Sequence, residues 1–288
     1  MTGDAAFHVH RFDSPVDFTD LTQPFLVEHE AENCFFIGHV PTLPNPTDVH
    51  LYAVTHPSGA VAAVALMTPW RHMVMTRAPA EAAISLARYL HAQDIPVPGI
   101  QGPRDAVEAF SREWRPLTGV ASHSRAEMGI YEATRIIPPA SPAPGSMRVA
   151  HAGDGALLSR WSVEFGQEIG EPHLARDGPD ITGRRIEKGQ LVVWEDGGEP
   201  VAMAGSAGAT PNGIRINAVY TPPPFRRRGY ASTLVASLSQ QLLHGGRRFC
   251  FLYTDLANPT SNKIYRSIGY TPVAESVRVE FDRSAGGR

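Results

Sequence analysis

The segment Ala218 to Ser232, AVYTPPPFRRRGYAS, constrains the fold of this chain more than any other stretch. It continues an apolar strand pattern that begins at Ile214, and it then turns through three consecutive prolines. After the arginine- and glycine-containing turn, apolar residues recur at helical spacing. The predicted order is therefore strand, turn and helix N-terminus. The apolar residues on one face of this helix are Leu234, Val235, Leu238, Leu242 and Leu243.

This order predicts a phosphate site at the start of the helix. The first N–H groups of a helix lack intrahelical partners and lie at the positive end of its dipole, so they attract phosphate. Gly229 lets a ligand approach the backbone, Ala231 is small, and Ser232 could cap the helix through its hydroxyl. The three arginines add long-range attraction for an anion. We interpret the segment as a pyrophosphate cradle; a solvated arginine cluster on a surface turn is the alternative.

The cradle differs from two common phosphate motifs. No Gly-Lys-Ser/Thr follows the turn, as a Walker loop would require, and Gly-x-Gly-x-x-Gly is absent. A second motif follows the aromatic-rich strand pattern of Arg248 to Thr254. There, Asn258 and Tyr265 are seven positions apart, about two helical turns, and share one helix face. A Gly269-Tyr270 pair comes next.

The two motifs in this order resemble those of the GNAT superfamily of N-acetyltransferases. Arg226-x-x-Gly229-x-Ala231 resembles the coenzyme A loop, and Asn258 to Tyr265 with the following Gly-Tyr resembles the second signature. The resemblance covers about residues 147–282. The surrounding sequence looks like a bacterial subfamily of tandem acetyltransferases of mostly unassigned substrate.

Both halves of the chain show the same order of predicted elements. We therefore predict an α/β fold (an α+β mixed sheet) made of two tandem GNAT-like domains, each a mostly antiparallel twisted sheet flanked by helices. The domains are residues 1–137 and 147–288, joined by a proline-rich linker at 138–146. Among the elements, one helix is predicted over Pro24 to Val40 and a loop over Ile169 to Gly183.

The first half lacks the features of the cradle. Its turn before the long helix reads Arg77-Ala78-Pro79-Ala80, without glycine, and Pro79 removes one N–H group that a phosphate would need. It also lacks the Asn…Tyr pair. We predict that this half does not bind coenzyme A and instead closes one side of the acceptor site.

The GNAT resemblance implies roles for individual residues. The sheet would open between the strand that ends at Tyr220 and the next one, and the pantetheine arm would lie in that gap. Backbone groups there would bind the arm and polarise the thioester carbonyl. A neutral amine would attack the thioester directly, without a covalent enzyme intermediate, and the hydroxyl of Tyr265 would then protonate the leaving thiolate. The implied residues that contact acetyl-CoA are Val219, Tyr220, Thr221, Arg226, Arg227, Arg228, Gly229, Tyr230, Ala231, Ser232 and Asn258.

The sequence does not identify the group that acts as general base. Many family members carry a carboxylate on the fourth strand, but here that strand reads Ile-Arg-Ile-Asn-Ala-Val-Tyr. The candidates are Glu164, Glu168, Glu171 and His173, or a water chain to bulk solvent. Cys250 is interpreted as a buried structural thiol rather than an acyl carrier.

Composition narrows the class of protein further. A net charge of −3 argues against general affinity for nucleic acid or membranes. Two cysteines, Cys34 and Cys250, lie in apolar contexts typical of free thiols in a reducing compartment, so we expect a cytoplasmic protein. The histidines show no zinc spacing, and we expect no metal.

Two classes of function fit these observations. The first is an acetyl-CoA-dependent N-acetyltransferase that acts on a small-molecule primary amine, as a monomer or homodimer. A protein lysine or N-terminal acetyltransferase is the enzymatic alternative. The other class is a non-catalytic acyl-CoA-sensing or interaction module, against which the Asn258…Tyr265 pair argues, because a pure binder needs no acid for a thiolate.

Overall fold

The computed structural model describes residues 7–43, 49–68, 72–170 and 172–282. The chain divides into two compact units. The first unit comprises residues 1–130, 254–258 and 272–288, and the second comprises residues 131–253 and 259–271. The fold is mixed α/β with mostly antiparallel strands, as predicted.

The first unit is a sheet covered by helices. Its strand order is β1-β2-β3-β4-β5-β12, antiparallel throughout except for the parallel pair β4 and β5. Helices α3 and α4 bury their apolar faces in the same core as the central strands. The strands are β1 (His8–Phe12), β2 (His50–Thr55), β3 (Val61–Met67), β4 (Met73–Met75), β5 (Gly99–Gly102) and β12 (Thr271–Phe281), and the helices are α1 (Pro15–Glu28), α2 (Cys34–His39), α3 (Ala80–Ala92) and α4 (Arg104–Thr118). Strand β6 (Ser122–Ala133) contributes residues to both units.

The second unit holds the strand–turn–helix segment singled out in the sequence, and it also holds Tyr265. Its strands are ordered β11-β10-β9-β8-β7, antiparallel except for the parallel pair β10 and β11. The strands are β7 (Ser146–Val149), β8 (Leu191–Asp196), β9 (Glu199–Ala207), β10 (Gly213–Tyr220) and β11 (Phe249–Asp255), and the helices are α5 (Gly155–Glu168), α6 (Pro172–Glu187), α7 (Tyr230–His244) and α8 (Pro259–Ser267). The predicted strand–turn–helix order is present as β10, turn and α7.

Two predicted segments differ from the structure. The predicted helix over Pro24 to Val40 is wrong, because α1 starts at Pro15 and ends at Glu28, and α2 is separate. The start of α1 is set by Ser14, whose hydroxyl accepts a hydrogen bond from the N–H of Asp17 at 3.2 Å. The predicted loop over 169–183 is also wrong, since most of it belongs to α6.

A half-buried ion-pair network fixes the start of α5 to the edge of the sheet. Arg148 in β7 donates two hydrogen bonds to Asp154, at 2.7 and 2.9 Å, and a third to Glu195 in β8 at 2.6 Å. The bonds from Arg148 hold the pKa of Asp154 below its usual value. This fork-like pairing orients the helix that later supplies a candidate proton acceptor.

The proline-rich segment between the halves is docked on the second unit. The buried N–H of Ala143 donates to Thr233 Oγ1 in α7 at 3.0 Å. The carbonyl of Pro144 accepts from the indole N–H of Trp194 at 2.7 Å. A Cβ at Gly145 would lie 2.1 Å from the carbonyl oxygen of Glu195, so only glycine fits there. Specific contacts therefore fix the segment in place, and its extended conformation stays a prediction.

Within the described ranges, no helix is long and apolar enough to span a membrane. No cluster of three or more His, Cys, Asp or Glu side chains suited to a metal ion occurs among those same residues.

Candidate active site

Strands β10 and β11 pair over only part of their length, which opens the sheet of the second unit. Parallel pairing joins Gly213–Arg215 to Phe249–Phe251. Beyond Arg215, β10 continues to Tyr220 with its described pairing on the β9 side. The backbone groups of this last part of β10 are therefore open to an extended ligand on the β11 side.

A β-bulge interrupts β10 at the opening. Between Asn217 and Tyr220, β10 contains one residue more than the opposite stretch of β9. Ala218 has a φ of 50°, a left-handed conformation that alanine rarely adopts. Just beyond the strand, Thr221 Oγ1 is buried and has no hydrogen-bond partner among the described residues. Backbone strain and an unpaired polar atom thus occur together at the place where a ligand would enter.

The turn after β10 leads into α7 through two residues in the left-handed region. Arg227 has a φ of 65° and Gly229 a φ of 83°. A Cβ at Gly229 would meet no atom closer than 3.8 Å, so the backbone conformation rather than space favours glycine. Among the described residues, no side chain caps α7 at Gly229, so the first N–H groups of the helix have no capping partner there. The geometry is that of an anion-binding helix terminus.

The predicted capping role of Ser232 is wrong. Its hydroxyl donates to the carbonyl of Gly229 at 2.9 Å, and Thr233 Oγ1 donates to the same carbonyl at 3.0 Å. Both hydroxyls therefore tighten the first turn of α7 instead of covering its N–H groups. At the same turn, the Tyr230 hydroxyl donates to the carboxylate of Asp196, which leaves only the backbone of Tyr230 for a ligand.

The three arginines of the turn have different surroundings. Arg226 donates to the carbonyl of Thr221 at 2.8 Å and to Glu168 at 2.6 Å, and its guanidinium lies 5.7 Å from the centre of the Tyr220 ring. Arg227 and Arg228 are exposed. Arg226 thus contacts two of the residues that line the cavity described next, Glu168 and Tyr220.

A cavity of about 420 Å³ lies between α5 and the end of β10. The Tyr220 hydroxyl donates to Glu164 Oε2 at 2.9 Å, and its ring packs against aromatic residues of α5. Burial, and then the bond to Glu164, raises the pKa of Tyr220 to about 12. The cavity therefore presents two carboxylates and one protonated phenol. Its lining residues are Glu164, Gln167, Glu168, Tyr220 and Pro223.

Tyr265 lies in α8 and is only 9% exposed. Its ring contacts that of Tyr270, with centres 6.1 Å apart. Burial raises the pKa of the Tyr265 hydroxyl to about 12, so this group is a protonated phenol at neutral pH. Asn258 is exposed and directly precedes α8.

The fold with its open strand pair and bulge can be compared with known proteins. Residues 196–279 match the family of FR47-like proteins, and no curated protein sequence matches the chain. An acetyltransferase of the GNAT family from Colwellia psychrerythraea is similar in structure, at 14% identity and a TM-score of 0.59, over 96% of this chain and 100% of the other. This chain has the GNAT fold. A GCN5-related N-acetyltransferase from Sphaerobacter thermophilus is similar at 17% identity and a TM-score of 0.61, over 100% of this chain and 98% of the other.

One of the similar GNAT structures is a tandem protein. It belongs to the clavulanic acid biosynthesis pathway and matches 98% of this chain and 100% of its own length, at 12% identity and a TM-score of 0.59. The GNAT resemblance predicted from the two motifs is thereby confirmed at the level of the fold. The roles of individual residues stay predictions.

On this GNAT fold, only two of the four residues predicted as proton acceptors can be placed at the site. Glu164 and Glu168 line the cavity. Glu171 and the side chain of His173 lie outside the described residues. Burial raises the pKa of the Cys250 thiol to about 12, which keeps it protonated and unreactive, in agreement with a structural thiol.

The sequence interpretation missed two arginines on the sheet face that α5 and α6 cover. Arg185 of α6 donates through Nη2 to Asn217 Oδ1. Arg215 lies in β10, two positions before Asn217. A charged residue between Ile214 and Ile216, in an otherwise apolar strand pattern, was the available signal.

Proposed function

We propose that this protein is an acetyl-CoA-dependent N-acetyltransferase that transfers an acetyl group to the primary amine of a small molecule. The observation that carries the proposal is the combination, within the second unit, of the open β10–β11 pair, the bulge at Ala218 and the uncapped start of α7. A coenzyme with an extended arm and a pyrophosphate needs these features in that order.

The residues present fit acetyl-CoA. Backbone groups of Val219, Tyr220 and Thr221 would hold the pantetheine arm, and the buried Thr221 Oγ1, for which the described residues offer no partner, would add one more polar contact. The first-turn N–H groups of α7 would hold the pyrophosphate, with Arg227 and Arg228 adding positive charge. When bound, acetyl-CoA supplies the activated acyl group.

The protein's own groups would move the protons. The attacking amine loses one proton, and Glu164 accepts it, directly or through the Tyr220 hydroxyl to which it is bonded at 2.9 Å. The Tyr265 hydroxyl would donate the proton that the leaving thiol requires. An N–H of the bulge, at Val219 or Tyr220, would stabilise the negative charge on the carbonyl oxygen.

The size of the cavity supports a small acceptor. About 420 Å³ is within the usual range for small-molecule sites, of roughly 300–1,000 Å³. A protein lysine or N-terminal amine as acceptor, and a non-catalytic acyl-CoA sensor, are the alternatives that the experiments below separate from this proposal.

Calorimetric titration of acetyl-CoA tests the donor site. The matched variants are Gly229→Ala and Gly246→Ala, because both glycines have positive φ, of 83° and 99°, and both have room for a Cβ. Each change should destabilise the protein by about 1 kcal/mol through backbone strain. Only Gly229→Ala should weaken acetyl-CoA binding, by about tenfold or more, because it alone displaces the turn before α7. Equal weakening in both variants, or no binding to the unchanged protein, would overturn the assignment.

Replacing Tyr265 with Phe separates an enzyme from a sensor. We expect acetyl-CoA affinity to stay within about twofold and turnover with an amine panel, followed by thiol release, to fall by about 10²-fold. Unchanged turnover would make Tyr265 a structural residue. Binding of acetyl-CoA with no thiol release from any amine in the panel would favour the sensor, and acetylation confined to protein substrates would favour the second enzymatic alternative.

A further inference from the structure

Two half-buried arginines of the second unit lack a carboxylate partner among the residues that the structure describes. Arg185 makes one side-chain hydrogen bond, to Asn217 Oδ1, and its Nε is buried without a partner. The Nε of Arg215 is likewise buried and unpaired. Neither guanidinium forms a salt bridge with a described acidic residue, whereas Arg148 of the same unit is fully paired.

This arrangement is electrostatically unfavourable as it stands. Burial, and then the charge of Arg215, lowers the pKa of Arg185 to about 10. Burying a charge without a partner is costly, and a second cation beside it adds repulsion. The guanidinium of Arg185 nevertheless fits against the sheet because residue 205 is glycine. A Cβ at Gly205 would lie 2.1 Å from Arg185 Nη2. An anion bound by both guanidiniums would remove the penalty.

The arginines lie on the same sheet face as the acidic cavity. Arg215 and Asn217 alternate along β10 and share one face. The bulge adds one residue, so Tyr220 returns to that face, where it contacts Glu164 of α5. Along one face of β10, a cationic pair is therefore followed by a carboxylate-lined cavity. A molecule with both an anionic group and an amine would match this order.

We propose that Arg185 and Arg215 form a subsite for an anionic group, a carboxylate or a phosphate, of the acceptor amine. Asn217 orients Arg185 through its side-chain oxygen. This inference deepens the proposed function and rests on it for the identity of the amine. The coenzyme pyrophosphate is assigned to the start of α7 and does not compete for the subsite.

The first test measures anion binding directly and needs no catalysis. Thermal unfolding is followed with added acetate or inorganic phosphate at constant ionic strength, against chloride. The unchanged protein should gain stability, with a Tm rise of about 2–4 °C. Arg215→Gln should lose most of the rise, whereas Arg184→Gln, at an exposed position of α6, should keep it. An equal response in both variants, or no response in the unchanged protein, would overturn the subsite.

A second variant supplies the missing anion from the protein itself. Asp in place of Asn217 is nearly isosteric and puts a carboxylate within reach of Arg185 Nη2. Asn217→Asp should raise the Tm by about 2–4 °C and abolish the response to acetate and phosphate. A lower Tm for this variant would show that the site does not accept an anion. This outcome is informative even where Arg215→Gln fails to fold.

Paired amines then test the subsite in catalysis. We compare 5-aminopentanoate with pentylamine, and glucosamine 6-phosphate with glucosamine. The charged member of at least one pair should have the larger kcat/KM, by about tenfold or more, and Arg215→Gln should remove that preference. The pair that shows it distinguishes carboxylate from phosphate. No preference in either pair, with the anion response intact, would disprove the subsite's role in acceptor recognition, whereas failure of acetyl-CoA binding would disprove the proposed function alone.

Discussion

Two glutamates one helical turn apart in α5 line the same cavity but differ in their partners. Glu168 is ion-paired with Arg226 at 2.6 Å, so a cation already occupies its carboxylate. Glu164 accepts a hydrogen bond from the neutral Tyr220 hydroxyl, and its contact with Arg160 is long, at 3.9 Å. Because Glu164 is the carboxylate without a close cation in this pair, we assign the role of proton acceptor to it.

Substitution of each glutamate separately tests this difference. Glu164→Gln should lower turnover by about 10²-fold or more, since the amide cannot take up a proton. Glu168→Gln is the matched control in the same cavity and should change turnover much less. The measurement is kcat with the best amine of the panel, together with acetyl-CoA affinity, which both variants should retain. A larger loss in Glu168→Gln would reverse the assignment, and no loss in either would favour a water chain.

At the scale of single residues, the sequence predicts the position of those that belong to short motifs. Gly229 and Tyr265 stand in short motifs with fixed spacing, so the turn before α7 and the helix that carries the tyrosine could be placed. The contacts that shape the acceptor side join residues far apart in the chain. Tyr220 and Glu164 are 56 positions apart, and Arg185 and Asn217 are 32 positions apart. Neither the spacing nor the periodicity of a sequence indicates which residues that far apart form a hydrogen bond.

Among the elements, α6 and the proline-rich segment show where local rules fail. The sequence of α6 includes Gly178-Pro179 and Gly183, which usually end helices, and the segment was therefore predicted to be a loop. The proline-rich segment was predicted to be extended, because proline favours that conformation. Its docking depends on one N–H and one carbonyl, at Ala143 and Pro144, and their partners lie elsewhere in the chain.

Removing the partner of Ala143 should release this segment. Thr233→Val keeps the shape of the side chain but leaves a buried N–H unpaired, which costs about 1–3 kcal/mol. Ser232→Ala is the control, since Ser232 bonds only to the carbonyl of Gly229 and does not contact the segment. We expect a lower Tm and faster proteolytic cleavage within residues 138–146 for Thr233→Val alone. Equal cleavage of the two variants would show that the hydrogen bond does not hold the segment.

For the whole molecule, strand pairing departs from the division of the sequence into halves. The last strand, β12, belongs to the sequence half that follows the proline-rich segment, yet it pairs antiparallel with β5, with Val277 opposite Gly102. Alternation of apolar residues predicts that a strand exists but not which neighbour it joins. The repeated order of elements could therefore be found in the sequence, while the membership of this strand in the first unit could not. The boundaries of independently folding domains stay a prediction.

Both units contain buried phenols, and the second also contains a buried thiol with a raised pKa, so the free energy of unfolding should fall at alkaline pH. Burial raises the pKa values of Tyr52 in the first unit and of Tyr265 and Cys250 in the second to about 12. Their ordinary values are 10.0 for the tyrosines and 9.0 for the cysteine. Between the ordinary and the raised pKa, the unfolded chain loses protons that the folded chain keeps. The free energy of unfolding is thus fully present below about pH 9 and falls as the pH rises toward 12.

Each such group should contribute a slope of about −1.4 kcal/mol per pH unit in this range. Urea unfolding measured at intervals from neutral to strongly alkaline pH should therefore show stability falling steeply above the ordinary tyrosine pKa. Phenylalanine has no hydroxyl proton to lose, so Tyr265→Phe should remove the contribution of Tyr265 to the slope of unfolding free energy against pH. The contribution of Tyr52 should stay unchanged. An identical slope in the variant would mean that the Tyr265 hydroxyl is hydrated in the folded protein, and the dry, protonated phenol on which the proposed acid role depends would be excluded.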